Sequence, residues 1–123
     1  MAVQESRDTR TFIAGEDLSS SQFKFVTLES DGQVDLADSA GENCIGVVIN
    51  DPASGGEATV VVSGKTMVQA GGTIAAGAAV ATDASGDAVT ASTGNIVMGY
   101  ATEAGVDGQV IAIELIQGGN AAA

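Results

Sequence analysis

The stretch VVVSGKTMV, residues 60–68, contains the most specific motif of the chain and decides its fold class. Residues 63–66 match the second half of a phosphate-binding loop, G-x-x-x-x-G-K-[ST]. The first glycine of that motif is replaced by Thr59, and the valine run that follows favours a pleated strand over a loop of bare backbone amides. The glycine pair at 71–72 disfavours the helix that such a loop requires. The stretch therefore predicts two β-strands with a short break at residues 63–64, and no nucleotide site.

The same pattern continues on both sides of this stretch. β-branched runs alternate with short turns rich in glycine, aspartate and serine, which is typical of an all-β barrel or sandwich. The alanine-rich segment IAAGAAVATDA is assigned to a strand because Gly77 lies in its middle and period-two alternation follows it. We predict strands at residues 23–28, 33–37, 44–49, 57–62, 65–69, 78–82, 88–91, 96–102 and 109–116.

The chain also repeats itself weakly, at an offset of about 53 residues. FVTLESDGQV and AVATDASGDAV each contain a strand, an acidic glycine turn and a return strand. IGVVINDPASGGEATVVV and MGYATEAGVDGQVIAIEL each begin with a glycine after an apolar residue and end in an apolar strand. Two such units are too few for a stacked array, so we expect them to close one small barrel.

Composition restricts the function. Sixteen acidic and four basic residues give a net charge of −12, which disfavours binding to nucleic acid or to an anionic membrane. The N-terminus lacks the apolar core of a secretory signal and no apolar run reaches membrane-spanning length, so we expect a cytosol-like compartment. The apolar residues are mostly Ala, Val and Ile, which bury little area each, and this indicates an oligomer.

The chain offers little chemistry for catalysis or cofactor binding. It has no histidine, and a zinc ion would find Cys44 and carboxylates alone as ligands. Cys44 lies in an apolar run and is interpreted as a small buried hydrophobic side chain. The acidic residues at 29–38 could bind calcium, but their spacing is not that of an EF-hand loop and solvated turn charge is the favoured interpretation. We expect no metal and no cofactor.

The succession AGEDL, FVTLESDGQV, IGVVINDPASGGEATVVVSG, AGGTIAAGAAVATDASGDAV and VMGYATEAGVDGQVIAIEL resembles the capsid decoration, or head cement, proteins of tailed bacteriophages. The resemblance runs from Ala14 to Leu115. It implies a small β-barrel of the β-tulip type, usually trimeric, bound to the major capsid protein at three-fold or quasi-three-fold positions outside the head. Such a protein stabilises the shell, is not an enzyme, and moves from the host cytoplasm into the virion. Ala78 stands where the family pattern has an acidic residue.

The N-terminal segment MAVQESRDTRTF is predicted to bind the shell. It contains two of the four basic residues and lacks the apolar periodicity that would place it in the barrel; the alternative is a disordered tail. We expect an extended N-terminal arm at residues 1–13, a β-barrel domain at 14–118 and a flexible C-terminal tail at 119–123. The expected capsid-contact residues are Arg7, Arg10, Thr11 and Phe12, with Phe12 filling a pocket of the shell.

Two other classes of protein explain part of the sequence. A biotinyl- or lipoyl-type carrier is also a two-fold repeated β-barrel, and it presents its modified lysine in a tight turn. Lys65 would be that lysine, although the methionine that usually precedes it is missing. An enzyme that used the acidic turns would depend on Asp31 and Asp35, and loss of turnover on changing them to asparagine would support it.

Overall fold

The computed structural model describes residues 7–116, and these residues form β-strands connected by turns. No helix occurs among them, and so none that is long and apolar enough to cross a membrane. The first six residues of the expected arm, and the expected C-terminal tail, lie outside the described residues. The strands are β1 (Arg7–Ile13), β2 (Lys24–Leu28), β3 (Val34–Leu36), β4 (Gly46–Val48), β5 (Glu57–Gln69), β6 (Ala79–Thr82), β7 (Ala88–Thr90), β8 (Gly99–Ala101) and β9 (Val110–Leu115).

The strands form one curled sheet, in which every pairing between these strands is antiparallel. Its order is β3-β2-β4-β5-β9-β8-β6-β7, and β1 pairs with β5 outside this path. The strand at each end of the sheet also forms one parallel β-bridge with a residue that follows another strand. Val34 of β3 pairs with Ala14, which follows β1, and Ala88 of β7 pairs with Ala70, which follows β5. The all-β fold, consistent with a small barrel, is therefore confirmed.

The sheet consists of two five-strand units that share β5. In the first unit, β1 pairs with residues 57–64 of β5, and β4, β2 and β3 follow. In the second unit, residues 64–69 of β5 take the place of β1 and pair with β9, and β8, β6 and β7 follow. This arrangement confirms the weak repeat seen in the sequence and extends it to β1.

The predicted break at residues 63–64 is wrong, because β5 runs without interruption through both. Gly64 has a φ of 96°, and glycine adopts this conformation without steric cost. The register of β1 against β5 shifts between Asp8 and Thr9, a β-bulge close to the point where β5 changes partner from β1 to β9. Residues 59–63 are part of the strand, which confirms that this stretch is not a phosphate-binding loop.

The other predicted strands are present, within a few residues at each end, whereas β1 was not predicted. Most of its side chains are exposed, and β5 is its one neighbouring strand in the described chain. A strand at the margin of a sheet buries few side chains, so it needs no apolar alternation to form. The polar sequence RDTRTFI is consistent with this position.

Two clusters of buried side chains lie on opposite faces of the first unit. Successive residues alternate between the clusters at positions 25–26 of β2, 47–48 of β4 and 60–61 of β5. Since both faces are covered, these strands are continuously apolar rather than alternating. The larger cluster also contains the interior of the second unit, including Ile111, Ile113 and Met98. The second unit thus packs against one face of the first.

Candidate partner-binding surface

The structure brings the four predicted contact residues together on β1. The side chains of Arg7, Arg10 and Thr11 are exposed, whereas Phe12 is half-buried and packs against the smaller core cluster. The ring of Phe12 therefore attaches β1 to its own barrel. Arg7 and Arg10 are three residues apart, so their side chains leave opposite faces of the strand.

The backbone of β1 forms an open sheet edge. The Ala14 N–H donates to the Gly56 carbonyl at 2.9 Å, which turns the polar groups of Ala14 towards β5. The direction of the backbone N–H and C=O groups alternates from one residue to the next along a strand. The groups of Thr9 and Thr11 therefore point away from β5. No strand in the described part of the chain covers that edge. The Arg10 guanidinium donates to the Thr9 carbonyl at 2.9 Å, so charge and main-chain groups meet at one edge.

Basic side chains are concentrated on this side of the molecule. Arg7 and Lys65 line the same surface groove, of about 400 Å³, together with Thr66, Met67 and Ala112. Arg10 follows on β1, so three of the chain's four basic residues lie on or beside β1. The fourth, Lys24, forms an ion pair with Asp87 at 3.3 Å. In a chain of net charge −12, this side can accept an acidic partner.

Carboxylates collect elsewhere, around a cavity of about 280 Å³ lined by Glu16, Glu29, Asp35, Asp38 and Glu42. Two of them accept backbone N–H groups: Glu16 accepts the N–H of Leu36 in β3 at 2.7 Å, and Glu42 accepts the N–H groups of Asp38 and Ser39 in its own turn at 2.8 Å. Burial, followed by the neighbouring charges of which Glu16 is the largest, raises the pKa of Asp35. Among residues 7–116 no group of three or more metal-binding side chains has the geometry to hold an ion. Glu16 and Glu42 thus act as acceptors for backbone amides of neighbouring segments.

The remaining chemically reactive candidates occupy structural positions. Cys44 is buried, and burial, with a smaller effect of Glu42, raises the pKa of its thiol to about 12. It is therefore protonated at neutral pH and packs as a small hydrophobic residue, as predicted. Lys65 lies in the middle of β5 and not in a tight turn, which a carrier barrel would require. Asp31 accepts the Gln33 N–H at 2.9 Å and thereby fixes the β2–β3 turn.

The sequence signal for this surface was the concentration of basic residues near the N-terminus of an acidic chain. Nothing in the sequence placed Lys65, Met67 and Ala112 beside Arg7, because that proximity depends on the long path of β5 past the end of β1. The sequence did contain a signal for β1 itself, because Ala14-Gly15 and Ala70-Gly71 follow corresponding strands.

Comparison with known proteins defines the class of this barrel. The sequence family described as phage cement protein matches residues 4–115. The chain therefore belongs to the phage cement protein family and is a structural protein of the phage head. This confirms the resemblance seen in the sequence.

A solved structure shows the same fold. The chain is similar to the N base of the head fiber gp8.5 of bacteriophage phi29, with a TM-score of 0.70 and 19% sequence identity. The match covers 94% of this chain and 98% of the phi29 chain. No curated protein sequence matches the chain.

Proposed function

We propose that this protein binds the outer surface of a phage head and stabilises the capsid. The observation that carries the proposal is the match of nearly the whole described chain to the phage cement protein family. The open edge of β1, with its basic side chains, supplies a surface on which a shell protein can be bound. The chain acts by binding and not by catalysis, and its partner is the major capsid protein of the head.

The contact segment in this proposal is residues 1–13, with Arg7, Arg10 and Thr11 facing the shell and Phe12 holding β1 on the barrel. An extended strand of the shell protein can pair with the open edge, where main-chain hydrogen bonds provide affinity. Carboxylates of the shell pair with the two arginines, and each exposed pair contributes about 0.2–1 kcal/mol. In this proposed division, residues 14–118 are the barrel domain, to whose sheet β1 adds a strand, and residues 119–123 are a tail outside this contact.

We further propose that the protein is a β-tulip homotrimer at three-fold or quasi-three-fold positions of the virion surface, after synthesis in the host cytoplasm. A trimer presents three copies of β1, so that after one binds, the other two act at high effective concentration. The thin core of mostly Val, Ala and Ile side chains supports association, since subunit contacts add buried area. Sedimentation of the free protein tests this. A stable monomer whose melting temperature is unchanged on head binding would contradict it.

The binding proposal is tested with purified heads that lack this protein. Wild-type protein should bind them and raise their melting temperature. Arg7→Ala with Arg10→Ala should bind more weakly, and the remaining binding should depend less on salt because two charged contacts are lost.

The matched control is Arg7→Lys with Arg10→Lys, which keeps both charges and should retain most of the binding. All variants should keep the wild-type melting temperature as free proteins, since both side chains are exposed. Alanine variants that occupy heads like the wild type, with the same salt dependence, would exclude β1 as the contact.

A further inference from the structure

A second feature beside β1 has the character of a binding surface. In the second unit, Met67 of β5 lies opposite Ala112 of β9, and Tyr100 of β8 lies opposite Glu114 of β9. Directly opposed residues share one face of a sheet. Met67 is 48% exposed, Tyr100 47% and Val110 of the same face 41%, so this face contains three of the six exposed large hydrophobic residues of the described chain. We call Met67, Tyr100, Val110, Ala112 and Glu114 the outer face; Lys65 and Gln69 of β5, which lie opposite Glu114 and Val110, share it.

The internal repeat shows that this face corresponds to one that is covered in the first unit. Val47 and Val61 form the pair that matches Tyr100 and Glu114, about 53 positions earlier in the chain. Both valines are fully buried, because the second unit packs on them. In the second unit, no residue of the described chain covers the corresponding pair, and Tyr100 and Glu114 are exposed. The outer face is thus the uncovered equivalent of a packing surface.

The composition of the outer face is that of an interface. Tyrosine and methionine are enriched at protein contacts, and tyrosine is frequent among the residues whose truncation costs most binding energy. Tyr100 is the chain's one tyrosine and one of its four aromatic residues. Tyr100 of β8 and Met67 of β5 lie on either side of β9, and the position of Tyr100 near the centre of a β-sheet surface makes it a rigid apolar anchor.

The outer face is continuous with the proposed contact strand. Met67 and Ala112 line the groove of about 400 Å³ that Arg7 of β1 also lines. A partner seated on β1 therefore extends onto the outer face without crossing another element. Since Arg7 and Lys65 line the groove beside this surface, the partner that fits it has an apolar centre and an acidic border.

We propose that the outer face is a second part of the capsid contact and binds an apolar, acid-bordered surface of the major capsid protein. This inference rests on the proposed function, because the shell is the partner that β1 would place there. The face supplies apolar burial, whereas β1 supplies main-chain pairing and charge.

Binding to heads that lack the protein tests the inference. Met67→Gln with Tyr100→Ala should bind about tenfold or more weakly than wild type, since truncation removes the apolar anchor. The matched control is Leu28→Gln with Val106→Gln, which changes two equally exposed hydrophobic residues away from the face and should bind like wild type. Free variants should keep the wild-type melting temperature and sedimentation coefficient.

A photo-crosslink identifies the occupant. With Tyr100→p-benzoylphenylalanine, irradiation of decorated heads should join this chain to the major capsid protein, whereas the same substitution at Leu28 should not. Wild-type binding combined with equal binding of the outer-face variant would overturn the inference and leave the proposed function standing. Crosslinks between copies of this chain, or altered sedimentation of the variant, would make a second copy the occupant and also overturn it. Failure of wild type to bind would overturn the proposed function itself.

Discussion

At the scale of single residues, two glycines show how closely the strands approach one another. Gly46 in β4 and Gly99 in β8 occupy corresponding positions of the two units. A Cβ atom on Gly46 would collide with the carbonyl oxygen of Val61, and one on Gly99 with that of Glu114. Because the obstacle is backbone, it cannot move aside as a flexible side chain would. The glycine near the start of each repeat is therefore required, because the neighbouring strand leaves no room for a Cβ atom at its position.

We predict that Gly46→Ala lowers the free energy of unfolding by about 1–3 kcal/mol, the usual cost of forcing an added group into a packed site. The matched control is Gly72→Ala, whose added Cβ would have no atom within 4 Å, and it should change stability by no more than about 0.5 kcal/mol. Urea denaturation followed by circular dichroism measures both. Equal effects of the two substitutions would show that the β4–β5 approach is looser than described.

At the scale of elements, much of the sheet could be predicted from the sequence. Turn residues and β-branched runs correctly indicated strands β2 to β9, because these strands are buried on at least one face and so have an apolar pattern. The predicted break at residues 63–64 was wrong because glycine was interpreted as an interruption, whereas Gly64, with a φ of 96°, continues β5. A local pattern cannot distinguish these cases, because the difference lies in which strands pair on either side.

The element most difficult to predict was also the one closest to the candidate site. β1 is polar because it lies at an open edge, and the outer face is apolar although it is exposed. β1 follows the usual relation between polarity and burial and so lacks an apolar strand pattern, whereas the exposed apolar residues of the outer face depart from that relation. Scarcity of basic residues identified Arg7 and Arg10, but no feature of the sequence marked Met67 and Tyr100 as exposed. Their exposure follows from the way the two units pack, which the alternation within one strand does not encode.

We predict that β1 contributes to stability through Phe12 and much less through its neighbour Ile13. Phe12 packs on the smaller core cluster, whereas Ile13 is 41% exposed on the other face of the same strand. Phe12→Ala should cost about 1–3 kcal/mol, less than the 3–5 kcal/mol of a fully buried phenylalanine. Ile13→Ala should cost less than about 1 kcal/mol. Chemical denaturation of both variants provides the comparison, and equal losses would mean that β1 is not anchored by its aromatic ring.

At the scale of the whole molecule, charge is the dominant property. The chain has sixteen acidic and four basic residues, and several of its carboxylates lie close together around the β2–β3 region. Burial, and then like charges, raise the pKa of Asp35; burial also raises the pKa of Asp87, although Lys24 opposes it. A carboxyl group whose pKa is higher in the folded chain binds its proton more tightly there. Its ionisation therefore favours the unfolded chain.

We predict that the free energy of unfolding falls as the pH rises from the ordinary aspartate pKa of 3.8 through the raised folded values of Asp35 and Asp87. The stabilisation from a protonated Asp35 is complete below its unfolded pKa, near the model-compound value of 3.8, and is lost as the pH passes the raised folded value. Asp35→Asn should therefore reduce the pH dependence and raise the melting temperature at pH 7. The exposed Asp51→Asn is the control for simple loss of one charge, and a matching effect there would remove the special role of Asp35.

The strand shared by the two units makes the barrel indivisible. β5 provides a hydrogen-bonding edge to β1 and β4 in its first half and to β9 in its second half. Neither unit can detach without breaking the pairing of β5 with the other unit, so we expect the two units to open together. Backbone amides of β2 and of β9 should then exchange with deuterium through one common opening event. On a particle surface, a subunit that opens in this way is either fully folded or fully unfolded.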